Sequence, residues 1–441
     1  MPRRLRLGPL TIGLAVAAMA GACTSVPPEE LSVPLFPPTT TTVAAESQPD
    51  AEADDAPEGE AEPVVPGLDV DGRIAVGGLD GLVITEADGT VLQTASPTGV
   101  GTQPAWSRDG SRAVAYIPDR AGGSVVVAAD GQEFVTDARR SYFFFSWSGD
   151  GAYIAALGPG PQGTTLDILT PEGELATEDS IDTASFYLAW EPGGDDLVVH
   201  LDDELLLIRD PLALDDQESL GTPGQAFLAP VWIPETRDIV IVDEGEENRL
   251  IRLDVDDGTE QDLGPVGGAA GFTVSPDGTR LFLTHDGPDV ERSDDIEISL
   301  RPVQETLAAS EVVLLESGRR IGINDELTVW AEWAPDGSAV AMLQIGAESS
   351  DWRVFDENGV RDLGEMVSTP TFFRNYVFFS WQFVESPRIW APDADAIVYA
   401  AIEDGEQGIF LHPLDGERVR VGNGDVAFFA PEPDGGAPSP A

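Results

Sequence analysis

The chain of 441 residues carries 79 aspartates and glutamates against 24 arginines, has no lysine, and reaches a formal net charge of −55. That sign excludes nucleic acid as a partner, because neutralising phosphates takes the opposite charge; the rest of the acidity reads as a solvated surface. The sole cysteine, Cys23, excludes intrachain disulfides and a cysteine-based structural zinc, while the length leaves ample chain for a large core.

Residues 1–22 read as a leader. Arg3, Arg4 and Arg6 form a basic start, and Leu7 to Met19 an apolar stretch too short to span a membrane comfortably. The residues Ala20-Gly21-Ala22-Cys23 resemble a bacterial lipobox, with Ala20 standing where that motif usually has leucine. The resemblance implies cleavage before Cys23 and lipidation of the cysteine; an ordinary cleaved signal is the alternative. Residues 23–66 run through Pro-Pro-Thr-Thr-Thr-Thr and then alanine, glutamate, aspartate and proline, with hardly an apolar side chain to bury. A disordered tether is expected there, with an extended limit of roughly 120 Å at about 3.1 Å per residue.

From residue 67 to 435 one pattern recurs: an apolar anchor, a tight turn, then an apolar run. It stands at Trp106-Ser-Arg-Asp-Gly, Trp147-Ser-Gly-Asp-Gly, Trp190-Glu-Pro-Gly-Gly, Trp232-Ile-Pro-Glu-Thr, Val274-Ser-Pro-Asp-Gly, Trp333-Ala-Pro-Asp-Gly and Trp390-Ala-Pro-Asp-Ala, with a degenerate copy at Phe429. Proline presets the turn's first central residue and glycine frees the backbone where the chain reverses. Eight residues beyond the first seven anchors lie Val114, Ala155, Val198, Val240, Phe282, Ala341 and Val398, so the strand register repeats with the turn. A period near 42 residues predicts an all-β fold, a β-propeller of four-stranded blades. The pattern resembles the TolB-like propeller repeat, Trp-Ser-Pro-Asp-Gly followed by an apolar strand. That resemblance implies the same fold over about residues 70–435; it implies no particular function, because the repeat decorates unrelated proteins.

Residues 73–98 match the second to fourth strands of a blade whose anchor strand is missing, and Val426 to Ala430 supply an anchor strand with no blade after it. The carboxy-terminal strand is therefore expected to complete the first blade and close a ring, hiding two sheet edges. Eight blades result, or seven if one degenerate copy is an embellishment; residues 436–441 are a flexible tail. The Pro-Asp-Gly turns mark the lower face. Blade-to-blade loops and second-to-third-strand turns mark the upper one. The tether should join from below, leaving the upper face pointing away from a membrane.

Few residues suggest chemistry. His200, His285 and His412 do not occupy one ring position, so no three-histidine metal site is expected, and no zinc-protease, serine-hydrolase or phosphate-loop motif is present. Acidic residues in upper loops, such as Asp119, Asp243 and Glu403, have oxygens suited to calcium but no calcium-loop spacing. Asp254-Val-Asp-Asp-Gly reads as a turn between third and fourth strands. No metal or cofactor is expected.

The two long intervals, of 59 and 57 residues between anchors, carry a surplus over residues 286–330, including Glu316 to Thr328, and over Glu365 to Pro387. Both should lie side by side on the upper face. The second is rich in aromatics: Phe372, Phe373, Tyr376, Phe378, Phe379, Trp381 and Phe383. Its run Arg374 to Trp381 repeats the Arg-x-Tyr-x-Phe-Phe-Ser-Trp of Arg140 to Trp147, which predicts buried strand positions for Phe378 and Phe379. The whole insertion reads either as a cap packed on the ring or as a binding corner. In the second reading Arg319, Arg320, Trp330, Arg374, Tyr376 and Trp381, residue types that dominate hot spots, receive an anionic or aromatic group. The functional expectation is a lipid-anchored, extracytoplasmic propeller that binds an envelope protein, with a glycan or peptide as second choice. The alternative is a propeller hydrolase or lyase with its site at the central channel mouth.

Overall fold

The structure, a computed structural model, describes residues 68–432 except 69, 120–121, 184–185, 202–203, 223, 225–227, 245–247, 268–269, 286–308, 325–327, 346–349 and 383–385. The leader, Cys23, the tether and the tail lie outside the described residues.

Strands fall into antiparallel blades in chain order. Blade 2 consists of Thr102–Trp106, Arg112–Ile117, Ser124–Ala129 and Gln132–Asp137, with the anchor strand innermost. Blades 3 to 6 repeat that order from Phe144–Trp147, Phe186–Trp190, Val231–Trp232 and Ala270–Val274. Blade 1 holds Arg73–Gly78, Gly81–Glu86 and Val91–Ala95, and its innermost strand is the carboxy-terminal Val426–Phe429, with Ile74 opposite Phe429 and Gly77 opposite Val426. This is the closure expected from the unmatched half-blades.

Blades 7 and 8 are continuous through one long strand. Gly359–Ser368 is the outer strand of blade 7, and its last two residues pair with Ile402 and Ala401 of blade 8. Blade 8 continues through Ala396–Glu403, Glu406–Pro413 and Val419–Gly422. Its innermost strand is split: Val367 and Ser368 supply the upper end, and a lone bridge from Trp390 to Ile397 supplies the lower end. The ring therefore has eight blades.

Each blade is sandwiched between two others, so its second strand buries both faces and reads as a continuous apolar run. The seven register positions from Val114 to Val398 are all 0% exposed. The core is accordingly divided into layers between blades: one joins blades 2 and 3 through Val114, Tyr142 and Trp147, another blades 4 and 5 through Ala189, Val198 and Trp232. At the lower turns, Ser107 Oγ donates to Asp109, whose carboxylate also accepts the Ser111 N–H. Burial pulls the Asp109 carboxyl upward, but those donors outweigh it and hold it below the usual range. Ser275 and Asp277 repeat the device.

The anchors do more than fill space. The Trp147 indole N–H donates to the Ala105 carbonyl at 3.2 Å, Trp190 to Ser146 at 3.1 Å and Trp232 to Ala189 at 3.0 Å. Trp333 reaches Thr273 and Trp390 reaches Glu332, and Trp106 closes the ring onto Phe428 at 2.9 Å. In every case the acceptor is the residue before the preceding anchor. One side-chain bond thus ties the inner strands together at six of the eight blade junctions. Val274 and Phe429 have no side-chain N–H to offer; Phe429 is held instead by its backbone N–H on the Arg388 carbonyl.

Candidate functional site

The excursion between Ser368 and Trp390 replaces the middle of an inner strand, and inner strands line the channel. Thr369 starts it. Its hydroxyl accepts the Phe372 N–H as a helix cap and donates to the Asp425 carbonyl at 2.6 Å, at the upper end of blade 1. With Pro370 in the first turn, the sequence has both signals of a helix start, and Pro370–Asn375 is helical, followed by a 3-10 helix over Val377–Gln382.

These two pieces lie across the upper channel mouth. Ser380 donates to the Val329 carbonyl of blade 7, and the Trp381 carbonyl accepts the Ala229 N–H of blade 5 at 3.2 Å. The Trp381 ring lies flat on Gly271 of blade 6, where a Cβ would sit 2.3 Å from it. Further along, Ser386 donates to Phe145 of blade 3. The segment therefore touches inner strands from blade 1 to blade 7 and crosses the axis.

Its aromatics fill the gap left by the missing strand. Phe372 packs on Trp330 with centroids 5.4 Å apart, and Tyr376 stands edge-on to Phe428 at 5.1 Å. Trp330, Phe372, Tyr376 and Phe428 are all buried. Of the two readings of the insertion, cap and binding corner, the geometry of these four residues is that of a cap. The outer side of the lid differs. Arg374 is exposed and makes no ion pair among the described residues, Phe379 is 36% exposed, and Val367, at the junction of blades 7 and 8, is 51% exposed. Phe373 and Phe378 form a T-shaped pair within the lid.

The six residues singled out from the sequence are thus not brought together. Trp330, Arg374, Tyr376 and Trp381 share the lid, but Arg319 and Arg320 lie far out on the rim, in Arg319–Asn324, the fourth strand of blade 6. Residues 316–324 are an ordinary turn and strand rather than an insertion, because the extra length of that repeat falls in sequence between the strands ending at His285 and starting at Ala309, outside the described residues. Arg320 bridges blades, donating to the Leu263 carbonyl and to Glu311. His285, with Arg320 behind it, holds the Glu311 carboxyl below its usual range despite burial.

The two copies of Arg-x-Tyr-x-Phe-Phe-Ser-Trp also diverge. In the first, Arg140 and the Tyr142 hydroxyl clasp the wholly buried Asp167, and Phe144–Trp147 is a strand. In the second, the equivalent residues are helical, and Phe378 and Phe379 are not buried strand positions. Among the described residues, no carboxylate clasps Arg374 as Asp167 clasps Arg140. His200 is buried in the second strand of blade 4 against Tyr187, and His412 lies beside Tyr399 in the third strand of blade 8, so the histidines stay apart. Asp254 caps the expected third-to-fourth-strand turn, accepting from the N–H groups of Asp256 and Asp257.

Two features had no counterpart in the sequence reading. One is the indole ladder, whose signal was the tryptophan at each anchor. The other is Glu332, on the inner strand of blade 7. Both its carboxylate oxygens face the Ile389 N–H, at 3.1 and 3.2 Å. Burial pushes this carboxyl up to about 7, against the pull of the Ile389 N–H and the Arg388 charge.

No protein-family model matches the chain, and no curated protein does. Among solved structures it is similar to a eukaryotic initiation factor, at 11% identity over 82% of this chain and 99% of that one, with a TM-score of 0.53. It is similar to a prolyl endopeptidase at 11% identity over 76% of this chain and 50% of the other, TM-score 0.52. TolB from Acinetobacter baumannii matches at 13% identity over 82% and 67% of the two chains, with a TM-score of 0.36, too low to argue from. At such identities likeness speaks for fold alone, and that fold is the β-propeller of four-stranded blades.

Proposed function

We propose that this chain is a lipid-anchored, extracytoplasmic binding scaffold whose partner docks on the upper face, over the lid. The repeats fit the TolB-like pattern, and Cys23 would carry the lipid. The observation that carries the reading is the channel segment: the place where a propeller offers a central pocket is filled by the chain's own aromatics. What remains outward at the lid and the blade junction is a surface with Arg374, Phe379 and Val367 exposed, and arginine and aromatic groups are the side chains that anchor interfaces. The chain enters at the opposite face, where Leu68 and Val70 pack into the core and Gly72 lies against Pro392 and Phe429 of the lower end. A tether leaving from there presents the lid outward. A hydrolase or lyase would need several ionisable groups converging at an open mouth, and the residues described at the upper mouth supply aromatics instead.

Two experiments test this. Cys23→Ser should move the protein from the membrane pellet to the soluble fraction; retention in the pellet would mean another attachment. Crosslinking in intact cells should capture the same protein with wild type and with Arg319→Ala, but not with the Arg374→Glu, Phe379→Ala pair. Equal capture by the lid variant would move the docking surface elsewhere.

A further inference from the structure

Away from the lid, one buried carboxylate shapes the layer between blades 2 and 3. Asp167, in the third strand of blade 3 (Gly163–Leu169), is wholly buried. Arg140 donates to it at 2.6 and 3.1 Å, and the Tyr142 hydroxyl at 2.8 Å. One guanidinium neutralises one carboxylate, so Arg139, 3.8 Å from the same group, is surplus there. It donates to the Glu178 carbonyl at 3.2 Å and stays exposed. Beside it lies a cavity of about 110 Å³, walled by Val125, Leu169, Leu175 and the Tyr142 ring, with Asp137 and Arg139 also in its lining. Val125, Leu169 and Tyr142 are buried, whereas both charged residues are exposed. We propose that this cavity binds a free aliphatic amino acid: the branched side chain lies inside, the carboxylate on Arg139 and the ammonium on Asp137.

Size and charge select that class. The cavity is smaller than the roughly 150 Å³ of an apolar cavity that takes up benzene, which suits an isobutyl or sec-butyl group. Its walls offer such a group contact on strands paired within two blades, so the space is formed before anything enters it. The lining carries one charge of each sign. Asp137 makes no ion pair among the described residues, and Arg139 makes none but the long one to Asp167, whose charge Arg140 already meets. A lone anion would be repelled by Asp137 and a lone cation by Arg139. A zwitterion, with both charges on one α-carbon, is attracted by each. This site does not rest on the scaffold reading, and no residue of the lid lines it.

Equilibrium dialysis of the purified full chain against radiolabelled L-leucine tests it. The wild type should retain label, and unlabelled leucine should displace it. Glycine, which lacks the side chain, and leucinamide and N-acetylleucine, which each lack one charge, should compete poorly. Arg139→Gln should weaken retention by about tenfold, the scale of a charged hydrogen bond. Asp137→Asn should weaken it by about threefold, the scale of an exposed ion pair. Ala138→Leu, which places a side chain in the cavity, should abolish retention with an unchanged circular dichroism spectrum. No retained label, or glycine competing as well as leucine, would overturn the proposal. So would leucinamide competing equally, which would make the occupant a peptide's amino terminus, or N-acetylleucine competing equally, which would make it a carboxy terminus. These arms need no variant.

Discussion

One indole nitrogen per repeat does more for this ring than the size of tryptophan suggests. Each buried N–H satisfies a carbonyl of the neighbouring inner strand, so removing it leaves a buried acceptor without a partner. Trp190→Phe keeps most of the apolar volume and should cost about 1–3 kcal/mol in denaturant unfolding. Val274→Ala, at the anchor that makes no such bond, should cost less. Glu332 gives a second prediction at this scale. Its folded proton affinity is raised, so between the ordinary glutamate value and about 7 the folded chain holds a proton that the unfolded chain has released. Stability from this group is complete at acid pH and falls as pH rises through that window, by at most about 1.4 kcal/mol per unit. Glu332→Gln should flatten that part of the stability–pH curve relative to wild type and melt higher at pH 8. A parallel pair of curves would mean that the carboxyl is hydrated in the folded state.

Among elements, the closing strand and the lid are the two that a local change can unseat. Deleting residues 425–441 removes Phe428 and Phe429, both buried, and opens an inner edge in blade 1. Losing one buried aromatic costs about 3–5 kcal/mol, so this chain should aggregate or melt far below the full chain, whereas deleting 436–441 should leave the midpoint unchanged. The lid rests on Gly271, where a methyl group has no room beneath the Trp381 ring. Gly271→Ala should lift the lid, raising protease cleavage within 369–389 while blades 2 to 4 keep their protection. Equal cleavage in both proteins would show that the indole simply shifts.

For the whole molecule, charge and orientation decide more than any single contact. A net charge of −55 repels a second copy and any polyanion, which favours a partner that is basic overall. On the proposed docking over the lid, exposed Arg374 and Phe379 would supply the local anchor in that field. Association driven by the acidic surface should slow steeply with added salt, while the lid's contribution should persist; stopped-flow rates of the crosslinked partner at two ionic strengths would separate them.

The repeat determined the ring. Anchors near 42 residues apart, apolar register positions and two unmatched half-blades gave the blade repeat and the closure, because each strand's pattern is set by burial on both faces and needs no long-range information; the choice of eight blades over seven came from the sheet pairing, where the split inner strand of blade 8 is seen. The placement of Arg319, Arg374 and Glu332 could not be read the same way. Surplus length looks alike whether it lies in an outer strand, an upper turn or the channel, and only packing separates these. The same eight-residue motif is a strand where Asp167 clasps its arginine and tyrosine, and a helical lid where, among the described residues, no carboxylate clasps the arginine. Likewise Glu332 occupies an ordinary strand position in the sequence. Its proton affinity follows from the limb that returns against it, and that contact between residues 57 apart exists only once the ring has closed around the axis.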